Sequence, residues 1–388
     1  MPAAPSMHAT APHDIPLSQP DITAREIEAV TAVLRTPRLS LGPTLKAFEE
    51  RFAQTVGTRY AVALNSGTSA LHLCIRALGI ADGDEVISTP FSFVASANCI
   101  LFERARPVFV DIDPVTLNID PALIAGVITP RTKALLPVHV FGLPADMTAI
   151  MALASQHKLA VIEDACEALG ATVNGTWAGA IGDCATFGFY PNKQMTTGEG
   201  GMLVTNREDI ARLADSMRNQ GRDDGMGWLA HARLGFNYRL SDINCALGLA
   251  QLERLQDMLA QRARVAAWYD AALAERAPAV VRPAAPAANA TRSWFVYVIQ
   301  LPEGYAEAQR NALIVHLRER GIGSSQYFPC VHLQPFYREM GFKPGDFPIT
   351  ESVSRRSLAL PFFNRLSQAN VAIVADELAA WLAAHPPQ

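Results

Sequence analysis

Asp183-Cys-Ala-Thr-Phe-Gly-Phe-Tyr-Pro-Asn-Lys-Gln-Met-Thr-Thr-Gly-Glu-Gly-Gly201 is the stretch on which the reading of the chain turns. An apolar, strand-like run from Ala185 to Tyr190 breaks at Pro191-Asn192 and delivers one lysine, Lys193. The hydroxyl pair Thr196-Thr197 and a glycine-rich turn to Gly201 follow, and then a second apolar run, Met202 to Thr205. A lysine set between two buried strands, beside glycines that let backbone come close, suits a reactive amine. Alone, the same pattern fits a solvated surface charge, the commoner fate of a lysine at a strand end. The rest of the chain decides between the two.

Outward from this stretch, strands and helices alternate. Ala61 to Leu64 is a short apolar strand that runs into Asn65-Ser-Gly-Thr-Ser69 and a helix ending at Gly79. Strand into Ser-Gly-Thr into helix makes an anion site, because the first helical N–H groups and the dipole face the turn. Plain N-capping by Ser66 or Thr68 fits those residues equally well. Further strands are expected at Asp84–Ser88, Pro107–Ile112, Ala134–Phe141 and Leu159–Asp164, each followed by a helical pattern. Such alternation predicts an α/β protein with a mostly parallel sheet covered on both faces. Ligands of these sheets bind beyond the carboxyl ends of the strands. Asp164, Phe93, Ser66 to Ser69 and Lys193 all fall there, which favours a site over four unrelated surface features.

Upstream, Ile27–Leu34 and Leu45–Val56 are amphipathic helix candidates. Downstream, Ser241-Asp242 opens one long helical pattern to about Arg276. An alanine- and proline-rich connector, Ala277 to Asn289, leads to a strand (Trp294–Ile299) and a helix (Ala306–Arg320). An irregular aromatic stretch, Tyr327 to Tyr337, and a last helix, Gln368–Ala384, complete the chain. At 388 residues, two domains are expected. The predicted division is a loose tail at 1–14, a large cofactor-binding domain at 15–260 and a small C-terminal domain at 261–388.

Composition excludes several classes. With 49% hydrophobic and 18% charged residues and a formal charge of -4, nothing attracts nucleic acid or a membrane surface. The longest apolar run, Ala134 to Ala145, is too short to span a bilayer, and the first residues lack the pattern of a secretory signal. Six cysteines without CxxC spacing argue against disulfides or a zinc site, so no metal is expected and a cytoplasmic location is.

The candidate residues add up to one chemistry. A lysine amine condenses with a carbonyl cofactor. A carboxylate at Asp164 would keep a pyridine nitrogen protonated and the ring an electron sink. Phe93 offers a face for stacking, and Gly67-Thr68 a cradle for phosphate. That set is what pyridoxal 5'-phosphate requires. Each member has a plainer alternative: Asp164 as a helix cap, Phe93 as core, Glu167 as a solvated acid.

At these residues the sequence resembles the DegT/DnrJ/EryC1/StrS family of sugar aminotransferases, within the fold-type-I pyridoxal phosphate enzymes. The likeness runs from about Ile15 to Leu366. It is carried by Gly42-Pro43 with Phe48-Glu49, Asn65 to Leu71, Pro90-Phe-Ser-Phe93, Pro137 to Gly142, Ile162 to Ala165, Lys193 with Thr197 to Gly201, and Gly235 to Asp242. The resemblance implies a seven-stranded large domain and a homodimer with shared active sites. It assigns Lys193 to the Schiff base with the cofactor, Asp164 to the ring nitrogen, Phe93 to stacking, and Gly67 and Thr68 to the phosphate. Asn237 matches a residue that reaches the phosphate in the partner subunit, and Glu167 a position near the cofactor's phenolic oxygen. Tyr327, His332 and Arg239 are the candidate substrate contacts.

Two departures stand out: Gly188 occupies a place where relatives often carry a phosphate-binding serine, and Gln326 one where they often carry histidine. A branch that dehydrates sugars replaces the lysine by histidine, and Lys193 argues against that activity. The implied reaction is transamination of a keto-sugar nucleotide with glutamate as amino donor. Glu163-Asp-Ala-Cys-Glu167 and Phe189 to Lys193 resemble the branch that makes 4-amino sugars of the perosamine kind from 4-keto-6-deoxyhexoses, for surface polysaccharide. The alternatives are a 3-keto-sugar nucleotide as acceptor, or a pyridoxal phosphate-binding regulatory protein without turnover.

Overall fold

The computed structural model describes residues 12–227 and 229–387, so the expected tail at 1–14 lies mostly outside the described residues. Five strands come first: β1 (Tyr60–Leu64), β2 (Glu85–Ser88), β3 (Arg106–Phe109), β4 (Thr132–Leu135) and β5 (Ala160–Asp164). A two-residue hairpin, β6 (Thr172–Val173) and β7 (Thr176–Trp177), precedes β8 (Cys184–Gly188) and β9 (Gly201–Thr205). Seven of these form the main sheet in the order β1-β9-β8-β5-β4-β2-β3. Only β9 runs antiparallel to its neighbours, and every other pairing is parallel. The opening stretch is therefore the antiparallel β8–β9 pair, with Gly188 opposite Gly201 and Lys193 in the connection.

The sheet is covered because its strands are apolar on both faces. The helix Gly67–Ala77 shows this most plainly: every residue from Ser69 to Ile75 is buried, and its start is capped by Ser66 Oγ accepting from Ser69 N–H at 3.1 Å. After this layer come β10 (Ala290–Thr291), which extends the β6–β7 hairpin, and the antiparallel pair β11 (Tyr297–Gln300) and β12 (Ser357–Leu360). Tyr269, Tyr297, Leu313, Leu360 and Leu378 form a second hydrophobic centre there. The expected divide after residue 260 falls inside the helix Leu255–Arg276, whose Val265, Tyr269 and Leu273 belong to that second centre.

Three expectations change. The long helix from Ser241 is two helices, Asp242–Glu253 and Leu255–Arg276. Between them Arg254 leaves helical geometry at φ -102° and ψ 3°, and its guanidinium holds Asp21 and Glu26 near the start of the chain. No proline or glycine marks this break in the sequence. The strand expected at Ala134–Phe141 is regular only to Leu135; single bonds continue from the Leu136 N–H to Ile87 and across the Val138–Asp164 bridge, and Phe141 then turns left-handed at φ 53° and ψ 29°. The helices Glu208–Arg218 and Pro348–Arg356 were not foreseen. The second is capped by Asp111, which accepts from the Ile349 and Thr350 N–H groups at 2.9 and 2.8 Å.

A buried acid ties β5 to the turn before β8. Glu163, fully buried, accepts from the N–H groups of Gly179, Ile181 and Gly182 at 2.7 to 2.8 Å and pairs with His139 Nε2 at 3.0 Å. Burial pushes its carboxyl up, but the hydrogen bonds and charge from His139 and the N–H bonds together hold it below the usual range. A depressed carboxyl stabilises the fold above its unfolded value and loses that contribution as pH falls through the folded one. Glu163→Gln is expected to cost about 3 kcal/mol at neutral pH, read from the urea midpoint. The gap to the wild type should narrow below about pH 4.

Candidate active site

Beyond the carboxyl ends of β5 and β8 lies a cavity of about 500 Å³. Each wall follows from a local feature of the chain. β5 ends at Asp164 and turns, placing Cys166 and Glu167; β8 ends at Gly188 and loops through Pro191 to Lys193. The N-terminus of the Gly67–Ala77 helix closes one end and Phe93 sits past β2. Gly67, Thr68, Phe93, Asp164, Glu167, Lys193 and Tyr327 all line this one cavity. The sequence separates them by up to 260 positions (327 − 67), and the sheet brings them together.

Asp164 is buried and fixed: Oδ2 accepts from Ser96 Oγ at 2.6 Å and Oδ1 from the Cys166 N–H at 3.2 Å. The Lys193 ammonium lies 3.5 Å from Glu167 Oε1 and 3.9 Å from the centre of the Phe295 ring. Glu167 Oε2 accepts from the Phe141 N–H at 2.9 Å. Burial pushes the Glu167 carboxyl up; the Lys193 charge opposes this, and Asp164 adds to it. Burial, helped by the charge of Glu167, pushes the Tyr327 phenol up to about 12. Among the described residues lining the cavity, Asp164, Glu167 and Glu199 are acidic and Lys193 is the sole cation.

Three expected residues lie elsewhere. Asn237 is exposed, with its carbonyl accepting from Asn65 Nδ2 at 3.4 Å, and is not in the cavity wall. Arg239 bonds Asn219 Oδ1 at 3.0 Å, and it too lies outside the wall. His332 is fully buried against Phe347, with Nε2 3.2 Å from Glu351 Oε1. That pairing uses one ring nitrogen, Nδ1 has no partner among the described residues, and the residue is not part of this cavity's wall.

Other residues matter that sequence reasoning missed. Ser96, Phe295 and the Phe141 N–H carried no signal. Arg262 did: it interrupts the apolar stripe Met258, Val265, Ala266, Tyr269 of its helix. Its buried guanidinium donates to the carbonyls of Lys193 and Phe295, both at 2.9 Å, bracing the lysine and the ring beside it.

The donor set suits a pyridine aldehyde phosphate. Phe93 is 62% exposed, an aromatic face open at the cavity. The first N–H groups of a helix lack intrahelical partners, and those of Gly67 and Thr68 stand at the wall. A Cβ at Gly67 would come within 3.0 Å of Cys166 Sγ and 3.3 Å of Gly188 Cα, so any larger residue would press on both. Ser69 is already engaged, its Oγ donating to Asn65 Oδ1 at 2.7 Å.

The sequence profile of the DegT/DnrJ/EryC1/StrS aminotransferase family matches residues 20–379. The chain belongs to this family. It is 40% identical over 370 residues to the spore coat polysaccharide biosynthesis protein SpsC of Bacillus subtilis, covering 92% of this chain and 95% of that one. It is 40% identical over 358 residues to GDP-perosamine synthase of Caulobacter vibrioides, with the same coverage. The PLP-form of Spr1654 from Streptococcus pneumoniae superposes with a TM-score of 0.91 at 27% identity, over 96% of this chain and 99% of that one. The family and the seven-stranded sheet identify a fold-type-I, pyridoxal phosphate-dependent sugar aminotransferase.

Within this aminotransferase, Gly188 forms part of the cavity wall next to Gly67. A Cβ there would meet Cys166 Cβ and Sγ at 3.5 Å, an ordinary contact. Gly188→Ser should therefore fold normally and add a hydroxyl beside Gly67, the end expected to take the phosphate. One hydrogen bond to a charged oxygen contributes about 1.5–3 kcal/mol, so cofactor retention should tighten at least tenfold. Dialysis followed by absorbance of the retained cofactor measures this.

Proposed function

We propose that this aminotransferase moves nitrogen from glutamate to a keto group on a nucleotide-linked sugar. The observation that carries it is Lys193, half-buried between Glu167 and Phe295 in a cavity that also holds Asp164. Bound pyridoxal phosphate supplies the electron sink for charge at the substrate carbon. The protein's part is positional. The Lys193 amine moves a proton at the carbon bearing the amino group. Asp164, oriented by Ser96, holds the proton on the ring nitrogen; Phe93 stacks on the ring; Gly67 and Thr68 bind the phosphate through backbone N–H groups.

For the acceptor, identity to GDP-perosamine synthase favours a 4-keto-6-deoxyhexose nucleotide, and SpsC favours use of the product in a surface polysaccharide. The charge balance favours a homodimer with shared sites. Two phosphate-bearing ligands would bind beside three carboxylates and one ammonium, which favours further positive groups supplied by a second copy. Asn237, exposed and outside its own cavity, suits that role, and the exposed Leu234 beside it gives the contact an apolar edge. No helix among the described residues is long and apolar enough to cross a membrane; the proposed location is the cytoplasm, where nucleotide sugars are made.

The direct test is glutamate-dependent amination of a panel of 4-keto and 3-keto sugar nucleotides, followed by mass spectrometry. Lys193→Ala should lose at least about a thousandfold in rate. Full turnover by that variant would sink the proposal, and amination of 3-keto sugars alone would move the acceptor.

A further inference from the structure

Glu167 has a geometry that binding the cofactor does not require. It is the one acid among the described residues that pairs with the Lys193 ammonium. Its two oxygens are differentiated: Oε2 is occupied by the Phe141 N–H, and Oε1 faces Lys193. Its backbone is held as well, since its carbonyl accepts from Gln194 Nε2 at 2.5 Å, and Gln194 is the residue after the lysine. The Phe141 N–H is itself presented by an unusual backbone. Phe141 sits in the left-handed region, disfavoured for a residue with a Cβ, and is kept there by stacking on Phe328 at 5.2 Å and an edge contact with Phe91 at 5.9 Å. The fold thus maintains local strain to aim one carboxyl oxygen at one amine.

We propose that Glu167 is the proton partner of Lys193: its Oε1 takes the proton that the ammonium sheds when the amine becomes a nucleophile. The idea rests on reading Lys193 as the lysine that captures the cofactor. When an amine condenses with an aldehyde, a C=N bond forms, the C=O bond breaks and water leaves. Starting from an ammonium and ending with an unprotonated C=N nitrogen, two of the three N–H hydrogens leave in the water and the third is released as a proton. In the ammonium–carboxylate pair that proton crosses to Glu167 Oε1 and stays in the site as a neutral carboxyl.

The other ionisable groups around Glu167 are poor receivers. Asp164 has both oxygens engaged by Ser96 and the Cys166 N–H. The Cys166 thiol and Tyr327 phenol are pushed up by burial and already carry protons at neutral pH. Burial favours the neutral form of Glu167 once the lysine's positive charge is gone.

The test counts protons. Cofactor-free protein is titrated with pyridoxal phosphate by calorimetry in two buffers of different ionisation enthalpy. Glu167→Gln should release about one more proton per site than the wild type, and Glu167→Asp should follow the wild type. Infrared difference spectra of the wild type alone should show a carboxylic-acid C=O band appearing on binding, a readout that needs no variant. Equal proton release by wild type and Glu167→Gln, or no new carboxylic-acid band, overturns the inference. Failure of the underlying reading looks different: Lys193→Ala would then develop the same visible absorbance with pyridoxal phosphate as the wild type.

Discussion

The site depends on a close backbone contact. Where the Gly67–Ala77 helix begins, it touches the ends of β8 and β9: a Cβ on Gly201 would fall 2.4 Å from Ser66 C and 2.5 Å from the Gly67 nitrogen. Real Cβ atoms cannot come so near, so the helix reaches the sheet only because glycine stands there. This approach sets the anion-binding helix end against the connection that carries Lys193. Without it, the phosphate cradle and the lysine would be features of separate walls. The glycine-rich turn after the lysine is thus required by packing before it is required by chemistry.

Electrostatics then follow from what the cavity lacks. One ammonium against three carboxylates is a poor environment for phosphate, and under the proposed function the deficit has two remedies. Backbone N–H groups at a helix start attract anions without a side-chain charge to desolvate. The remaining need points outward, to surfaces such as the one that presents Asn237. That surface is itself well anchored. Phe236 and Tyr238, on either side of Asn237, stack at 4.8 Å, and His72 packs against both while its Nε2 meets Glu103. Asn237 is thereby held at the surface, away from its own cavity.

Much of this was legible in the sequence, and for identifiable reasons. The main sheet could be read because parallel strands are buried on both faces and appear as apolar runs. Lys193, Asp164, Phe93 and Gly67-Thr68 could be read because ligands of such sheets gather at strand ends. What stayed hidden had no local cause. The break at Arg254 comes from ion pairs to Asp21 and Glu26, more than two hundred residues away. The left-handed Phe141 is kept by aromatic rings from distant segments. The burial of His332 outside the cavity wall, with Nε2 against Glu351 nineteen residues on, also has no local signal. The Glu208–Arg218 helix is a different kind of miss, since Ile210, Ala214 and Met217 recur at helical spacing and could have been read.

β11 explains why the C-terminal region cannot be treated as an appendage to the site. Its side chains alternate, as strand geometry demands: Val298 enters the main core, while Tyr297 and Ile299 enter the second. A strand buried on both faces is a seam, and Phe295, two residues before it, is the ring against Lys193. Arg262 crosses the same seam from a helix that belongs to the second centre and braces the lysine's own carbonyl. Burial pulls that guanidinium down to about 10 against the opposing charge of Asp21, and three carbonyl contacts, from Phe295, Asn192 and Lys193, hold it in place. A charge so placed is costly unless its hydrogen bonds are kept. Separating the two centres would therefore break contacts that position Lys193, which makes the packing of the small sheet part of the active site's geometry.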